Sequence, residues 1–138
     1  MSLNILIAPS GFKESLNVLD VTEAIAEGVR AVWPDARLLK APLVDGGEGF
    51  TEALVQATGG TLHPLTVTGP VGEPVAAHIG FLGGTAVRTA VLEMAAAAGL
   101  RLVPRDRRNP GLTASRGVGE LMLAALDAGA ERILIGCG

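Results

Sequence analysis

A glycine-rich loop between an apolar run and a helical pattern is the feature that most constrains the fold. Residues 38–41 form the apolar run, residues 43–51 read Leu-Val-Asp-Gly-Gly-Glu-Gly-Phe-Thr, and residues 52–58 have helical character. α/β proteins place ligand loops where a strand ends and a helix begins, and glycine lets the backbone approach a bound group closely. This order therefore predicts an α/β fold with a ligand loop at residues 43–51.

The acids of this loop narrow what it can bind. The amides at the start of the next helix favour an anion, but Asp45 and Glu48 are anionic themselves. They fit a site that also holds a cation, such as Mg²⁺ beside phosphates, or a substrate hydroxyl that needs a base. The alternative is a tight turn in which Asp45 caps the helix and Glu48 lies in its first turn. The loop alone leaves both interpretations open.

Strand and helix patterns alternate along the rest of the chain. Residues 3–8 are a continuous apolar run, which is typical of parallel sheets covered on both faces. We expect helix one from about Asp20 to a stop at Pro34, with Trp33 and Phe81 in the core. Turn residues separate three neighbouring antiparallel strands. The remaining predicted elements are strands at 37–41, 61–67, 75–82, 86–94 and 131–138, and helices at 50–58 and 117–128.

These patterns predict a mixed α/β chain in two parts. Residues 1–68 form parallel strand–helix units that belong to a first domain. Residues 69–138 begin a second mixed α/β domain, with the boundary near Gly69. We expect this second domain to be truncated, because a central parallel strand such as 131–138 normally continues into a loop and a covering helix.

Charge and cysteine content exclude several classes of protein. The formal net charge is -3 over 138 residues, so there is no electrostatic case for binding nucleic acid. Cys137 is the single cysteine, which rules out an intrachain disulfide and gives no indication of an oxidising compartment. No apolar run approaches membrane-spanning length. We therefore expect a cytoplasmic protein that binds neither a membrane nor a nucleic acid.

A second group of candidate ligand residues precedes the last predicted helix. The start of that helix contains Gly117 and Gly119 and could face a phosphate, with charge from nearby arginines. The alternative is that a side chain before the helix only caps it. The residues in question are Arg108, Asn109, Thr113, Ser115 and Arg116.

Two isolated side chains have more than one interpretation. Lys13 follows the first strand, and if strands one and two are neighbours, Lys13 and Asp45 come from adjacent loops at one sheet edge. There a lysine can hold a carboxylate or phosphate; otherwise Lys13 is an exposed residue that approaches a helix. Glu93 ends an apolar strand and is either a residue that approaches a helix or an inward-facing site acid. A nucleotide-binding oxidoreductase is a further alternative, because Gly136-Cys137-Gly138 follows a strand like the start of a dinucleotide fingerprint.

Several segments resemble, in order and spacing, the bacterial glycerate kinases of the two-domain type. Residues 8–16 are similar to the family's A-P-D-S-F-K-E-S-L start, and residues 45–49 to its A-D-G-G-E-G segment. Residues 133–138 look like the strand that opens the I-G-G-S-A-T-N-D-G-G signature. Further matches lie at residues 67–74, 92–95 and 108–121, so the resemblance covers nearly the whole chain.

The resemblance implies an enzyme with two α/β domains and an active site between them. It implies transfer of the γ-phosphoryl group of ATP to D-glycerate with Mg²⁺, usually giving 2-phosphoglycerate; a homo-oligomer is left open. Lys13 and Arg108 are assigned to substrate or phosphate charge. Asp45 and Glu48 are assigned to the metal or to orienting the glycerate hydroxyl. Further contacts to substrate or phosphate are expected from Ser10, Gly46, Gly47, Gly49, Asn109, Thr113 and Arg116.

The chain departs from the family pattern at two places. Ser10-Gly11 replaces the usual Asp-Ser, which removes a carboxylate at the end of the first strand. The Asn-Asp-Gly-Gly signature and everything after it are absent from these 138 residues. We therefore expect these residues alone to have no appreciable kinase activity. The alternative function is that of a non-catalytic ligand-binding or assembly α/β fragment.

Overall fold

The first of two compact units in this computed structural model is a small strand–helix–strand motif. The structure describes residues 3–12 and 15–138, and the units comprise residues 1–44 and 45–138. In the first unit, the chain runs through β1 (Asn4–Ile7), α1 (Val18–Val32) and β2 (Arg37–Lys40). The strands β1 and β2 pair in parallel. The predicted parallel strand–helix start is confirmed.

The start of α1 shows why its predicted first residue was wrong. Asn17 is the N-cap, and its side-chain oxygen accepts hydrogen bonds from the backbone N–H groups of Leu19 (3.0 Å) and Asp20 (2.9 Å). An N-cap side chain that satisfies these amides begins the helix at Val18, before Asp20. The prediction of a core Trp33 was also wrong: this residue is the C-cap of α1 and is 52% exposed.

The second unit is built on a four-stranded mixed sheet. Its strand order is β3-β4-β5-β6, with antiparallel pairing in the first two pairs and parallel pairing between β5 and β6. The predicted antiparallel neighbours are confirmed. The elements are α2 (Phe50–Thr58), β3 (Thr61–Thr68), β4 (Pro74–Phe81), β5 (Thr89–Glu93), α3 (Met94–Ala98), α4 (Arg116–Asp127) and β6 (Arg132–Gly136).

Helices cover both faces of this sheet. A Cβ added to Gly80 would lie 2.4 Å from the Val55 side chain of α2, so α2 packs on the face of Gly80 and its neighbour Val91. Successive strand residues point to opposite faces, and Leu92 therefore faces the other layer. There it joins Leu121 of α4 in the main apolar cluster, and both are fully buried.

The division into compact units falls between Val44 and Asp45, whereas the sequence placed a domain boundary near Gly69. The strand β3 ends at Thr68 and pairs with β4 along its whole length, down to Thr68 opposite Pro74. The turn-rich residues 69–73 therefore connect two strands of one sheet. The predicted domain limits, 1–68 and 69–138, stay a prediction. Within the described ranges, the helices are too short or too polar to span a membrane.

Candidate ligand-binding loop

The predicted ligand loop folds into a tight glycine-rich turn, which we call the acid loop (residues 45–49). Gly46 (φ 94°) and Gly49 (φ 84°) have positive φ angles that favour glycine. Asp45 Oδ1 accepts a hydrogen bond from the backbone N–H of Gly47 at 3.2 Å. Asp45 therefore closes the turn internally, and the helix-capping alternative for Asp45 is wrong: the N-cap of α2 is Gly49, which has no side chain for the purpose.

A buried carboxylate supplies the missing cap. Glu93 ends β5 and is 2% exposed. Its Oε1 accepts from the backbone N–H of Gly49 at 3.1 Å, and its Oε2 accepts from the N–H of Thr51 at 2.9 Å. A negative charge at a helix N-terminus is favourable. These two amides at the N-terminal end of α2 are thus bound by the protein's own acid, so they are not the anion-binding groups that the sequence suggested.

Strand periodicity is the signal that could have assigned Glu93. Side chains at every second residue share one face, which groups Glu93 with Val91. Val91 lies on the face that α2 covers. Glu93 therefore faces inward, and it is also the residue that directly precedes α3, so both descriptions of its position hold. Its side-chain partners are backbone amides of the loop.

Backbone-to-backbone packing fixes the other side of the acid loop. A Cβ added to Gly136 would lie 2.5 Å from the carbonyl oxygen of Gly46, and one added to Gly138 would lie 2.8 Å from Gly47 Cα. The run Gly136-Cys137-Gly138 thus leaves room for the acid loop. This packing accounts for both glycines of the run without a dinucleotide.

The two acids of the loop suit a metal ion that is bound jointly by protein carboxylates and substrate phosphates. Glu48 Oε1 lies 3.2 Å from Nε of Arg101, and both side chains are about half exposed. In the described part of the chain, no group of three or more His, Cys, Asp or Glu residues could hold a metal ion. Mg²⁺ is commonly bound by one or two carboxylates together with substrate phosphates and water. Asp45 and Glu48 match that donor set.

Four further candidate residues, Arg108, Asn109, Thr113 and Arg116, lie in what we call the arginine segment (residues 104–116). Arg108 donates from Nε to the Val103 carbonyl at 3.3 Å and from Nη2 to the Leu100 carbonyl at 3.5 Å. Asn109 Oδ1 accepts from the backbone N–H of Gly111 at 3.0 Å. Asn109 thus shapes the segment itself, whereas Arg108 ties it to the residues just before it; both side chains are exposed.

The start of α4 is tied to β3 by an acid that the sequence did not single out. Ser115 occupies the N-cap position but makes no capping hydrogen bond through its side chain. Glu120 accepts from the backbone N–H (2.7 Å) and hydroxyl (2.9 Å) of Thr68 and from Nε of Arg116 (2.9 Å). The Thr68 N–H, then its hydroxyl, and then Arg116 hold the pKa of Glu120 below its ordinary value. The spacing of Arg116 and Glu120 by four residues was the available signal.

The remaining candidates are only partly placed by the structure. Ser10 is exposed in the first unit, after β1. Lys13 lies outside the described residues. Thr113 is half-buried just before α4.

Comparison of the sequence with known proteins identifies its family. The model of the glycerate kinase family matches residues 5–138. This chain belongs to the glycerate kinase family. It is 56% identical over 136 residues to a glycerate kinase from Bacillus subtilis (strain 168) and 49% identical to a glycerate 2-kinase from Escherichia coli (strain K12).

Both relatives are much longer than this chain. Each comparison covers 99% of the chain but 35% of the relative's own length. The crystal structure of a protein assigned as glycerate kinase 2 from Salmonella typhimurium LT2 matches with a TM-score of 0.70 and 51% identity. That match covers 99% of this chain and 36% of the other. The predicted α/β class and family resemblance are confirmed.

Proposed function

We propose that the protein, at its natural length, is a cytoplasmic glycerate kinase that transfers the γ-phosphoryl group of ATP to D-glycerate. The observation that carries this proposal is the family match over residues 5–138. One relative is named glycerate 2-kinase, which supports 2-phosphoglycerate as the product. Because the chain spans about 35% of its relatives' length, we expect no appreciable turnover from these 138 residues alone.

The chemistry required is mainly positioning and charge stabilisation. Phosphoryl transfer passes through a transition state with charge on the phosphoryl oxygens, so metal ions and basic side chains do most of the work. We assign Asp45 and Glu48 to Mg²⁺ or to orienting the reacting hydroxyl of glycerate. When bound, Mg²⁺ neutralises charge on the phosphates. Lys13 and Arg108 are assigned to substrate or phosphate charge.

The two acids are not equivalent candidates. Glu48 already forms an ion pair with Arg101, so any metal bound through Glu48 competes with that pair. In the described residues, the only hydrogen bond to the Asp45 carboxylate is the 3.2 Å bond from Gly47 N–H. Asp45 is also exposed and lies in a turn of fixed shape. We therefore assign the larger share of the metal or hydroxyl contact to Asp45.

The arginine segment supplies the second half of the proposed site. Arg116 is half of an exposed pair with Glu120, and its charge also lies at the N-terminal end of α4. A phosphate can bind there through the helix amides and the guanidinium together. Ser10, Gly46, Gly47, Gly49, Asn109 and Thr113 are proposed as further contacts to substrate or phosphate.

The test is an ADP-release assay on the protein at its natural length. We expect ADP release that requires Mg²⁺ and is stimulated by D-glycerate, with phosphorus NMR identifying 2-phosphoglycerate. Asp45→Ala and Lys13→Ala should each lower kcat/KM by about 100-fold, the usual size for losing one charge-stabilising group. The exposed Asp35, changed to alanine, is the matched control and should retain wild-type turnover.

The possible results separate function from residue roles. Wild-type turnover in both variants would contradict the roles of Asp45 and Lys13 but leave the kinase proposal intact. Binding of ATP or glycerate by the wild type without any turnover would contradict the kinase proposal. That result would favour the non-catalytic ligand-binding function instead.

A further inference from the structure

Glu93 is unusual because it is a buried acid whose side chain pairs with no cation among residues 3–12 and 15–138. Among the described residues, it is the only charged side chain in the buried class. Burying an isolated carboxylate is costly, and the cost is tolerable only when hydrogen bonds replace water. In the described part of the chain, those hydrogen bonds come from the Gly49 and Thr51 backbone N–H groups. The Glu93 carboxylate therefore binds the end of the acid loop and the start of α2.

The position of Glu93 makes it a rigid anchor. The strand before it is fully buried at Ala90, Val91 and Leu92, and Glu93 pairs with Gly136 of the neighbouring parallel strand. Its two oxygens bind amides on either side of Phe50, the first residue of α2. The carboxylate thus fixes both the left-handed residue that ends the acid loop and the first turn of the helix.

The two sides of the acid loop have different roles. On the inner side, Glu93 accepts hydrogen bonds from the Gly49 and Thr51 amides, whereas Asp45 and Glu48 are exposed to solvent. The Gly49 and Thr51 amides need no anionic ligand, because both already donate to Glu93. The loop can therefore present two acids to solvent at a fixed position without an anionic ligand to stabilise its backbone.

We infer that Glu93 is a positioning residue that sets the geometry of the acid loop and thereby the placement of Asp45 and Glu48 against their ligand. This inference rests on the proposed kinase function. Losing the anchor lets the loop shift, and a displacement of about 1 Å in a positioning group can cost about 100-fold in rate. The loss should appear in kcat, while KM for ATP and glycerate changes little.

The first test uses Glu93→Gln and Glu93→Asp in the natural-length protein. Gln keeps the side-chain volume, but its NH₂ group faces one of the two N–H donors and cannot accept from it. Asp keeps the charge but is one methylene shorter and cannot reach both amides. We expect kcat to fall about tenfold or more in both variants, with KM within about threefold of wild type. Exposed Glu131, which lies between α4 and β6, is changed to glutamine as the control and should leave kcat unchanged.

Hydrogen exchange gives a readout that does not depend on activity. In peptides that cover residues 46–52, the Gly49 and Thr51 amides should exchange about tenfold faster in Glu93→Gln, as expected for a lost charge-assisted hydrogen bond. Peptides from β4 and β5 should be unchanged, which shows that the sheet is intact. Unchanged exchange at residues 46–52, or wild-type kcat in both Glu93 variants, would overturn the inference.

The two readouts separate this inference from the proposed function. If the wild type shows no glycerate-stimulated turnover, the kinase proposal fails, and the exchange data alone decide whether Glu93 fixes the loop. If the wild type is active and only exchange responds to Glu93→Gln, Glu93 has a purely structural role. That result would also overturn the inference.

Discussion

The acid loop and the arginine segment both carry candidate ligand residues of the second unit, but they are held in different ways. The acid loop is fixed by the buried Glu93 carboxylate and by close backbone packing against Gly136 and Gly138. The contacts of the arginine segment include an exposed 2.7 Å pair between Arg107 and Glu73 and a 3.0 Å backbone hydrogen bond from Ala114 N–H to the Pro70 carbonyl.

This difference indicates a division of labour within the proposed site. Contacts to a metal or a reacting hydroxyl require accurate placement, which a buried anchor provides. Guanidinium groups hold phosphate by charge and hydrogen bonds over a range of side-chain conformations, so their backbone needs less restraint. Substitutions that disturb the buried anchor should therefore have larger effects than those in the exposed segment.

The largest effect on stability should come from Gly136→Ala. The added Cβ would lie 2.5 Å from the Gly46 carbonyl oxygen and 2.5 Å from Phe50 Cδ1, so the acid loop must move away from β6. We expect a loss of about 1–3 kcal/mol in the free energy of unfolding, which is typical of overpacking, measured by urea denaturation.

The matched control for this change is Gly119→Ala in α4. A Cβ at Gly119 meets no atom within 4 Å, and this glycine lies inside a helix. Alanine is favoured over glycine there, so we expect a gain of about 0.5–1 kcal/mol. A loss of similar size in both variants would mean that the loop packing at Gly136 is not responsible.

Local sequence patterns were sufficient to predict most elements and the loop between β2 and α2. The antiparallel strands follow from turn residues between apolar runs, and the stop of α2 follows from Gly59, whose φ is 64°. Trp33 was misplaced because apolar character alone does not say whether a residue at a helix end faces the core. These errors concern single positions at the ends of elements.

The anchor of the acid loop was harder to predict because it is a long-range contact. Glu93 lies 44 residues from Gly49 and 42 from Thr51 in the sequence, and the pairing exists only because α2 packs on β5. The ion pair of Glu48 with Arg101 is likewise non-local. Local spacing singled out Glu48 and Glu93 as candidates, but it did not predict the partners that restrain them.

An intermediate effect is expected at the junction between α4 and β3, where Glu120 binds Thr68. The pKa of Glu120 is lowered below its ordinary value of 4.5, chiefly by the Thr68 N–H. A carboxylate with a lowered pKa stabilises the folded state above its unfolded pKa, and this stability is lost as pH falls through the folded pKa. Urea unfolding at pH 7 and at pH 3 should show a smaller pH-dependent loss in Glu120→Gln than in wild type. An identical pH dependence in the two proteins would exclude this contribution.

The smallest effects on stability should come from removing two exposed ion pairs. One pair lies in the arginine segment and the other in the acid loop, so the two variants compare these regions directly. Arg107→Gln removes the pair with Glu73 in the arginine segment, and Arg101→Gln removes the pair with Glu48 in the acid loop. Each should lower the free energy of unfolding by about 0.2–1 kcal/mol, because both pairs are exposed.

Function should nevertheless separate these two variants, because only one pair involves an acid assigned to the metal. Arg101→Gln frees Glu48, so the Mg²⁺ concentration for half-maximal activity should fall by about twofold, the equivalent of a weak exposed pair. Arg107→Gln should leave that concentration unchanged, and a Mg²⁺ titration of ADP release at fixed ionic strength measures both. A higher Mg²⁺ requirement in Arg101→Gln would show that Arg101 holds Glu48 ready for the metal instead of competing with it.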